Sequence, residues 1–437
     1  MILMLSALPI QASDTPVIKF EDRIEEYNLK NGLKVILIED KRSSNVVSSI
    51  WYKVGSSYEK DGITGISHLL EHMMFKATST TKNGEFSEEI KKVGGTENAF
   101  TSRDFTGYYQ KVNSKYLSMC LKYESDRMTN LIFKDTDLKS EREVVKEERR
   151  LRTEDRPISV IFEKINLQIL GMQKYGIPII GTMNDLEKIS TQDLELWYKK
   201  YYRPSNAILI IAGNFNEKTI RNEIDAFFGE IQNPQNNTRE KNNFLKSTPS
   251  FKDISIKEKL PNPLLVISYI KPNFESSSKK DAYALDILLE IMDGGFSSRF
   301  THNIIDKKIA LNTFISHDLY SKEQSIFSIG GTPRKNVLLD DIQKSLISEF
   351  KLIAMNGLDN QELNDTKSRI IARNIFKFDS VFNQVMAIGG LEAKGLSWRL
   401  LDQYVDDIDK INESDIKMAA KRFILDNKAQ ISTIYPQ

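Results

Sequence analysis

Two histidines and a glutamate fall within five consecutive residues, in the order His68-x-x-Glu71-His72. On a helix, positions i and i+4 share one face, so the two imidazoles can hold one Zn²⁺ at about 2.0–2.1 Å. Glu71 falls on the same side, where a carboxylate can take a proton from water and later pass it to a leaving amine. The order is the reverse of the commoner His-Glu-x-x-His. The pentad therefore predicts a catalytic zinc site.

A satisfied structural cluster is the alternative for the same residues. The chain has only 4 histidines, and two of them lie in this pentad; His302 and His317 are interpreted as ordinary surface or core residues. The helix around the pentad is apolar nearly all round, which predicts that it is buried. Buried imidazoles and carboxylates are costly unless they pair or bind a metal.

A second pair of acids lies on a long, highly charged helix predicted over residues 135–154. Glu141, Val144, Val145 and Glu148 fall at i, i+3, i+4 and i+7, so two carboxylates share the inward stripe. A solvated helix would place its acids outside. Glu141 and Glu148 are therefore candidates for a buried ionic role, although a charged surface helix fits the spacing as well.

Length and composition limit the function classes. The 437 residues suggest two domains or more. With 61 basic and 60 acidic residues the net charge is +1, which gives no electrostatic footprint for nucleic acid or an anionic surface. The lone Cys120 cannot form an intramolecular disulfide, and no stretch after the N-terminus is apolar enough to span a membrane.

The first thirteen residues have the character of a targeting segment. An apolar run over residues 1–10 is followed by a partial small-x-Ala cleavage site. We interpret residues 1–13 as a signal-peptide remnant that lacks its basic region, which predicts a periplasmic or otherwise exported protein. The alternative is a buried N-terminal segment of a cytoplasmic protein.

The order of predicted elements indicates duplication. Asn31-Gly32 marks a hairpin, Thr64 is a plausible N-cap for the motif helix, and a strand pair is predicted over residues 96–101 and 106–112. Strand, helix, strand pair, helices and strand then recur loosely. We expect an α+β fold of two tandem homologous domains, each a mainly antiparallel sheet packed with helices. They cover residues 14–232 (zinc-binding) and 251–437 (without zinc), with a polar linker over 233–250.

The pentad and its surroundings resemble the zinc motif of the insulinase/pitrilysin family, whose short members include mitochondrial processing peptidase and bacterial zinc proteases. The family usually has Gly where this chain has Ala77. Its third zinc ligand lies about 76 residues beyond the second histidine, in a segment similar to Glu141-Arg-Glu-Val-Val-Lys-Glu-Glu148. By resemblance Glu148 is that ligand, and Glu141 is the nearby acid that orients His72 or holds a neighbouring charge.

The segment over residues 94–109 resembles the family's edge strand, whose backbone pairs with an extended substrate. The resemblance assigns substrate binding to Asn98, Ala99, Phe100 and Thr101. It implies a zinc endopeptidase for short or unfolded peptides, with a processing-peptidase-like half-clamshell fold and one Zn²⁺ per chain. The ligands would be His68, His72 and Glu148, and the general base would be Glu71.

One departure from the family concerns the second half. Single-chain and homodimeric members carry an Arg and a Tyr there that point into the active site, but this chain has Ile305 and Asn312 at those positions. Isoleucine cannot donate a hydrogen bond. We therefore expect the zinc-bearing subunit of a heterodimer, whose homologous partner supplies the Arg/Tyr pair. The alternative is a non-catalytic or weakly active scaffold subunit of a processing-peptidase-like complex.

Overall fold

The computed structural model describes residues 19–172, 174–233 and 249–437. They form two mainly antiparallel sheets packed with helices, so the α+β fold predicted from the sequence is confirmed. The predicted signal-peptide remnant lies outside the described residues, and so does most of the predicted linker.

In the described residues the first sheet has six strands, which are interspersed along the chain with eight α-helices. The elements are β1 (Ile24–Asn28), β2 (Lys34–Glu39), β3 (Asn45–Tyr52), α1 (Ile66–Met73), α2 (Glu85–Lys92), β4 (Thr96–Thr101), β5 (Thr106–Asn113), α3 (Leu117–Thr129), α4 (Asp135–Arg149), α5 (Pro157–Leu170), α6 (Met183–Lys188), α7 (Thr191–Tyr201), β6 (Ala207–Gly213) and α8 (Glu217–Phe228). The strand order is β1-β2-β6-β3-β5-β4. Among the described strands of this sheet, β2 and β6 are the one parallel pair, and β4 forms an edge beside β5.

The second sheet has five strands in the order β7-β11-β8-β10-β9. Its elements are β7 (Ile254–Glu258), β8 (Leu264–Lys271), α9 (Lys279–Asp293), β9 (Ala310–Ser316), β10 (Ser325–Pro333), α10 (Leu339–Asn356), α11 (Asn360–Lys377), α12 (Val381–Lys394), α13 (Arg399–Asp409), α14 (Glu413–Ala419) and β11 (Ala429–Pro436). Here β9 is an edge strand, as β4 is in the first sheet. Among the described helices, none has the length and apolar character needed to cross a membrane.

Each sheet packs against helices on both of its faces. On one face of each sheet, the helix belongs to the other half of the chain. Along β2, Val35 and Leu37 pack with the helices of the first half, while Ile36 and Ile38 face the opposite way. This alternation is the two-residue period of a strand. The second face is covered by α12, whose Val385 and Ile388 belong to the same apolar cluster.

The first half of the chain likewise provides a helix that covers the second sheet. On α5, apolar side chains recur every fourth residue and so form one stripe, which packs against Leu264 and Val266 of β8. The stripe consists of Ile161, Ile165 and Ile169. An ion pair of 2.6 Å between Lys34 and Glu392 also joins the halves. The two sheets therefore share their hydrophobic cores through exchanged helices.

Candidate metal centre

Helix α1 carries the pentad, and tight backbone packing holds its start. Gly65 precedes the helix with φ +89°, and a Cβ there would lie 2.6 Å from the carbonyl oxygen of Ile180, so only glycine fits. Glu59 accepts hydrogen bonds from two backbone N–H groups of the first turn, at 2.7 and 2.9 Å. The predicted N-cap at Thr64 is wrong, because its hydroxyl donates to Asp185 and the helix begins after Gly65.

Side chains of α1 and α4 bring metal-ligand atoms together. One ligand atom from each of His68, His72 and Glu148 lies within 4.8 Å of the other two. Glu148 Oε2 is 3.4 Å from His72 Nε2 and 3.7 Å from His68 Nε2. Tetrahedral ligands at about 2.0–2.1 Å from zinc lie about 3.3–3.4 Å from each other, so this donor set fits a zinc ion.

Glu71 lies next to this cluster and is nine-tenths buried. The hydroxyl of Thr101, at the end of the edge strand, donates a hydrogen bond to Glu71 Oε2. Burial raises the pKa of Glu71 to about 7. A carboxyl group with a pKa near neutrality can both accept and return a proton at pH 7.

A second carboxylate on α4 contacts Nδ1 of His72, the ring nitrogen that does not face Glu148. Nδ1 of His72 is 3.1 Å from Glu141 Oε2, while Lys76 binds the other oxygen of Glu141 at 2.5 Å. An imidazole that donates its Nδ1–H to a carboxylate presents the lone pair of Nε2 to a metal. Burial lowers the pKa of His72, but hydrogen bonds with Glu141 and Glu148 outweigh this effect and raise that pKa to about 9.

The other two ligand candidates have their own environments. Burial lowers the pKa of His68 to about 4, so its imidazole is neutral at pH 7. The hydrogen bond with His72 holds the pKa of Glu148 below its usual value. Glu148 Oε1 is 2.6 Å from Arg152, which lies in the π-helical turn Arg150–Glu154 that continues α4. One oxygen of Glu148 thus faces the histidines and the other faces Arg152.

These groups open onto a cavity of about 780 Å³ that runs alongside β4. Its lining includes Asn98, Ala99, Phe100 and Thr101, the four residues for which substrate binding was predicted. Among the described strands, β4 pairs with β5 alone, so its other side is available to a further strand. The arrangement places a peptide-sized cavity between a free sheet edge and the metal-ligand cluster.

All nine side chains singled out from the sequence thus converge on one cavity or directly support it. Two partners within the site were missed. Arg152 follows Glu148 by four residues, and this i, i+4 charge spacing was a signal that could have found it. The contact between Thr101 and Glu71 had no such signal, because it joins a strand to a helix 30 residues away.

No described residue of the second half of the chain lines this cavity. Every described residue of its lining lies between positions 68 and 180. Ile305 ends the π-helical turn Thr301–Ile305, and Asn312 is an exposed residue of β9. In the part of the chain that the structure describes, the second half therefore gives the cavity no hydrogen-bond donor.

Comparison with known families identifies the class of protein. Residues 34–183 match the model described as insulinase (peptidase family M16), and residues 188–370 match the peptidase M16 inactive domain. The "Zinc protease PqqE" of Helicobacter pylori is 30% identical over 355 residues, covering 78% of this chain and 77% of that protein. The chain belongs to the insulinase family of peptidases, as the resemblance of its motifs indicated.

Further relatives agree in length and fold. A mitochondrial-processing peptidase subunit beta of Arabidopsis thaliana, named as probable, is 22% identical over 98% of this chain and 81% of its own length. The crystal structure of a protease from Helicobacter pylori superposes with a TM-score of 0.86 at 25% identity, covering 95% of this chain and 99% of that one. The first half of the periplasmic protease PqqL from Escherichia coli shares the fold, with a TM-score of 0.79 at 16% identity and coverage of 94% and 92%.

Proposed function

We propose that this chain is a zinc-dependent endopeptidase for short or unfolded peptides, with one Zn²⁺ per chain. The observation that carries the proposal is the convergence of His68, His72 and Glu148 beside Glu71, in a cavity along a free sheet edge. Glu141 keeps the zinc-binding nitrogen of His72 oriented. Membership of a peptidase family whose relatives are named zinc proteases supports the same reading.

The chain's own residues perform the proton transfers and position the peptide. Zn²⁺, when bound, activates water and polarises a carbonyl group. Glu71 takes the proton from the attacking water and returns it to the departing amine, and the hydroxyl of Thr101 orients its carboxylate. The peptide adds as a strand beside residues 98–101, so that backbone pairing decides most of its binding. Only a short or unfolded chain can present an extended strand in this way.

We further propose that a homologous partner completes the active site with the Arg/Tyr pair. Its support is that the chain retains its zinc residues but has Ile305 and Asn312 where the pair is expected, and no described residue of the second half lines the cavity. The relative named as a subunit beta of a processing peptidase is consistent with such an assembly. A periplasmic location is proposed from the apolar N-terminus, and one structural neighbour is named a periplasmic protease.

Substitution of Glu71 by glutamine tests the catalytic assignment. The variant should retain about one zinc per chain by metal analysis, because the three ligands remain, while hydrolysis of a quenched unstructured peptide falls by at least about 10²-fold. Glu147→Gln on the exposed side of α4 is the matched control and should change neither value. A Glu71→Gln enzyme with normal activity contradicts the role given to Glu71.

The assembly is tested separately, by comparing the chain purified alone with the complex isolated from the cells that produce it. The complex should contain a homologous chain with Arg-x6-Tyr and should hydrolyse the peptide, whereas the lone chain should not. Strong activity of the lone chain refutes the partner proposal. Absence of activity in both preparations, with zinc bound, favours the scaffold alternative.

A further inference from the structure

Apart from Arg103, every charged side chain that lines the metal cavity has a hydrogen-bond or ion-pair partner among the described residues. Each of the three carboxylates in the lining already has a polar partner. These partners are Thr101 for Glu71, Arg152 for Glu148 and Arg149 for Glu163. Arg103 is the remaining charged residue of the lining, and no carboxylate in the described part of the chain forms an ion pair with it.

The surroundings of Arg103 hold its guanidinium without neutralising it. The guanidinium carbon lies 5.3 Å from the ring centroid of Tyr175, and the buried Nε has no hydrogen-bond partner among the described residues. The neighbouring carboxylate of Asp104 is engaged by the hydroxyl groups of Ser57 and Tyr175. A guanidinium held beside an aromatic ring offers its N–H fork to a carboxylate, which it matches in geometry.

Arg103 lies close in sequence to the end of β4, where the scissile bond of a paired peptide would lie. β4 ends at Thr101, whose hydroxyl contacts Glu71, and Arg103 follows two residues later in the turn to β5. A peptide that pairs with β4 passes Glu71 near Thr101. Because a strand advances about 3.3 Å per residue, side chains one to three residues from the scissile bond come within reach of Arg103.

We propose that Arg103 is a specificity-determining residue that selects peptides with an Asp or Glu side chain within about three residues of the scissile bond. This inference rests on the proposed peptidase function and adds a substrate class to it. The ion pair forms on binding and persists in the transition state, so the preference lies in KM more than in kcat. A lysine at the same substrate position is repelled.

A set of quenched, unstructured peptides that differ only by Glu, Gln or Lys at one position at a time tests the proposal in the isolated complex. At the position that meets Arg103, the wild-type enzyme should prefer Glu over Gln by about tenfold, the size of a charge-assisted hydrogen bond. Arg103→Gln should abolish this preference, and Arg103→Glu should shift it to Lys. Arg156→Gln, an exposed arginine outside the cavity, should leave it intact.

Measurements of peptide binding test the role of Arg103 independently of the proposed peptidase function. Fluorescein-labelled versions of the peptides are titrated by fluorescence anisotropy into zinc-loaded Glu71→Gln, with and without Arg103→Gln. Suppose that the wild-type complex hydrolyses none of the peptides, while the binding preference for Glu disappears with Arg103→Gln. The peptidase proposal then fails, and the selectivity of Arg103 stands. If Glu and Gln peptides bind and react within twofold of each other at every position, or if the preference survives Arg103→Gln, the role of Arg103 is refuted.

Discussion

Replacing Gly389 by alanine tests how closely the two halves of the chain pack. Gly389 lies on α12 against the buried Trp51 of β3, and a Cβ at this position would meet Trp51 Cε2 at 2.1 Å. The indole cannot easily give way. Its Nε1 donates to Ser49 Oγ at 3.0 Å, and its ring packs edge-on against Phe100 and Phe105 at centroid distances of 5.0 and 5.2 Å.

The adjacent Gly390 provides the matched control. It lies on the same helix, and nothing is found within 4 Å of a Cβ built on it. Alanine gains up to about 1 kcal/mol over glycine in a helix at either position, while an extra methyl group in a filled site costs about 1–3 kcal/mol. The helix gain cancels between the two variants. Gly389→Ala should therefore be less stable than Gly390→Ala by about 1–3 kcal/mol.

The free energies of unfolding are compared by urea denaturation followed by circular dichroism. Peptide hydrolysis gives a second readout: Phe100 contacts Trp51 and lines the metal cavity, so Gly389→Ala should also raise KM, whereas Gly390→Ala should leave it unchanged. Two variants of equal stability, within about 0.3 kcal/mol, refute the close approach of α12 to Trp51.

Two further predictions concern the metal centre. Because hydrogen bonds with Glu141 and Glu148 raise the pKa of His72 to about 9, zinc must displace a proton from this imidazole when it binds. Zinc affinity should therefore rise by up to about tenfold per pH unit between pH 7 and 9. Competition titrations with a chromophoric chelator measure this dependence, and a flat profile contradicts it. Glu141→Gln should weaken zinc binding by about 10–100-fold, because His72 loses its orienting carboxylate. Glu143→Gln, on the exposed side of α4, should bind zinc as the wild type does, and equal affinities in both variants refute the role of Glu141.

Local patterns predicted which side chains of the candidate site share a helical face. The i, i+4 spacing of the histidines defines one helical face whatever the helix packs on, and the seven-residue spacing of Glu141 and Glu148 does the same for α4. The hairpin at Asn31-Gly32 is confirmed by the pairing of β1 with β2. These features depend on geometry within one or two neighbouring elements. Short-range sequence patterns are enough to predict such geometry.

Contacts between distant elements could not be predicted in the same way. The alternating apolar residues of β2 indicate that both of its faces are buried, but they do not say what covers them. The cover for one face is α12, about 350 residues later in the chain. The hydrogen bond from Thr101 to Glu71 likewise depends on how β4 and α1 meet. The contact of Arg103 with the Tyr175 ring, and its lack of a described carboxylate partner, depend on how the loop around Tyr175 packs.

The sequence by itself determined the candidate chemistry of this protein: it predicted zinc ligands, a carboxylate for proton transfer and, through the family resemblance, a strand for peptide binding. The tertiary structure alone decided the environment of those groups. It buries Glu71, engages the carboxylates of the cavity and leaves Arg103 with no carboxylate partner among the residues that the structure describes. Residue types and local spacing are properties of the sequence itself, but desolvation and charge balance arise only when separate elements pack together.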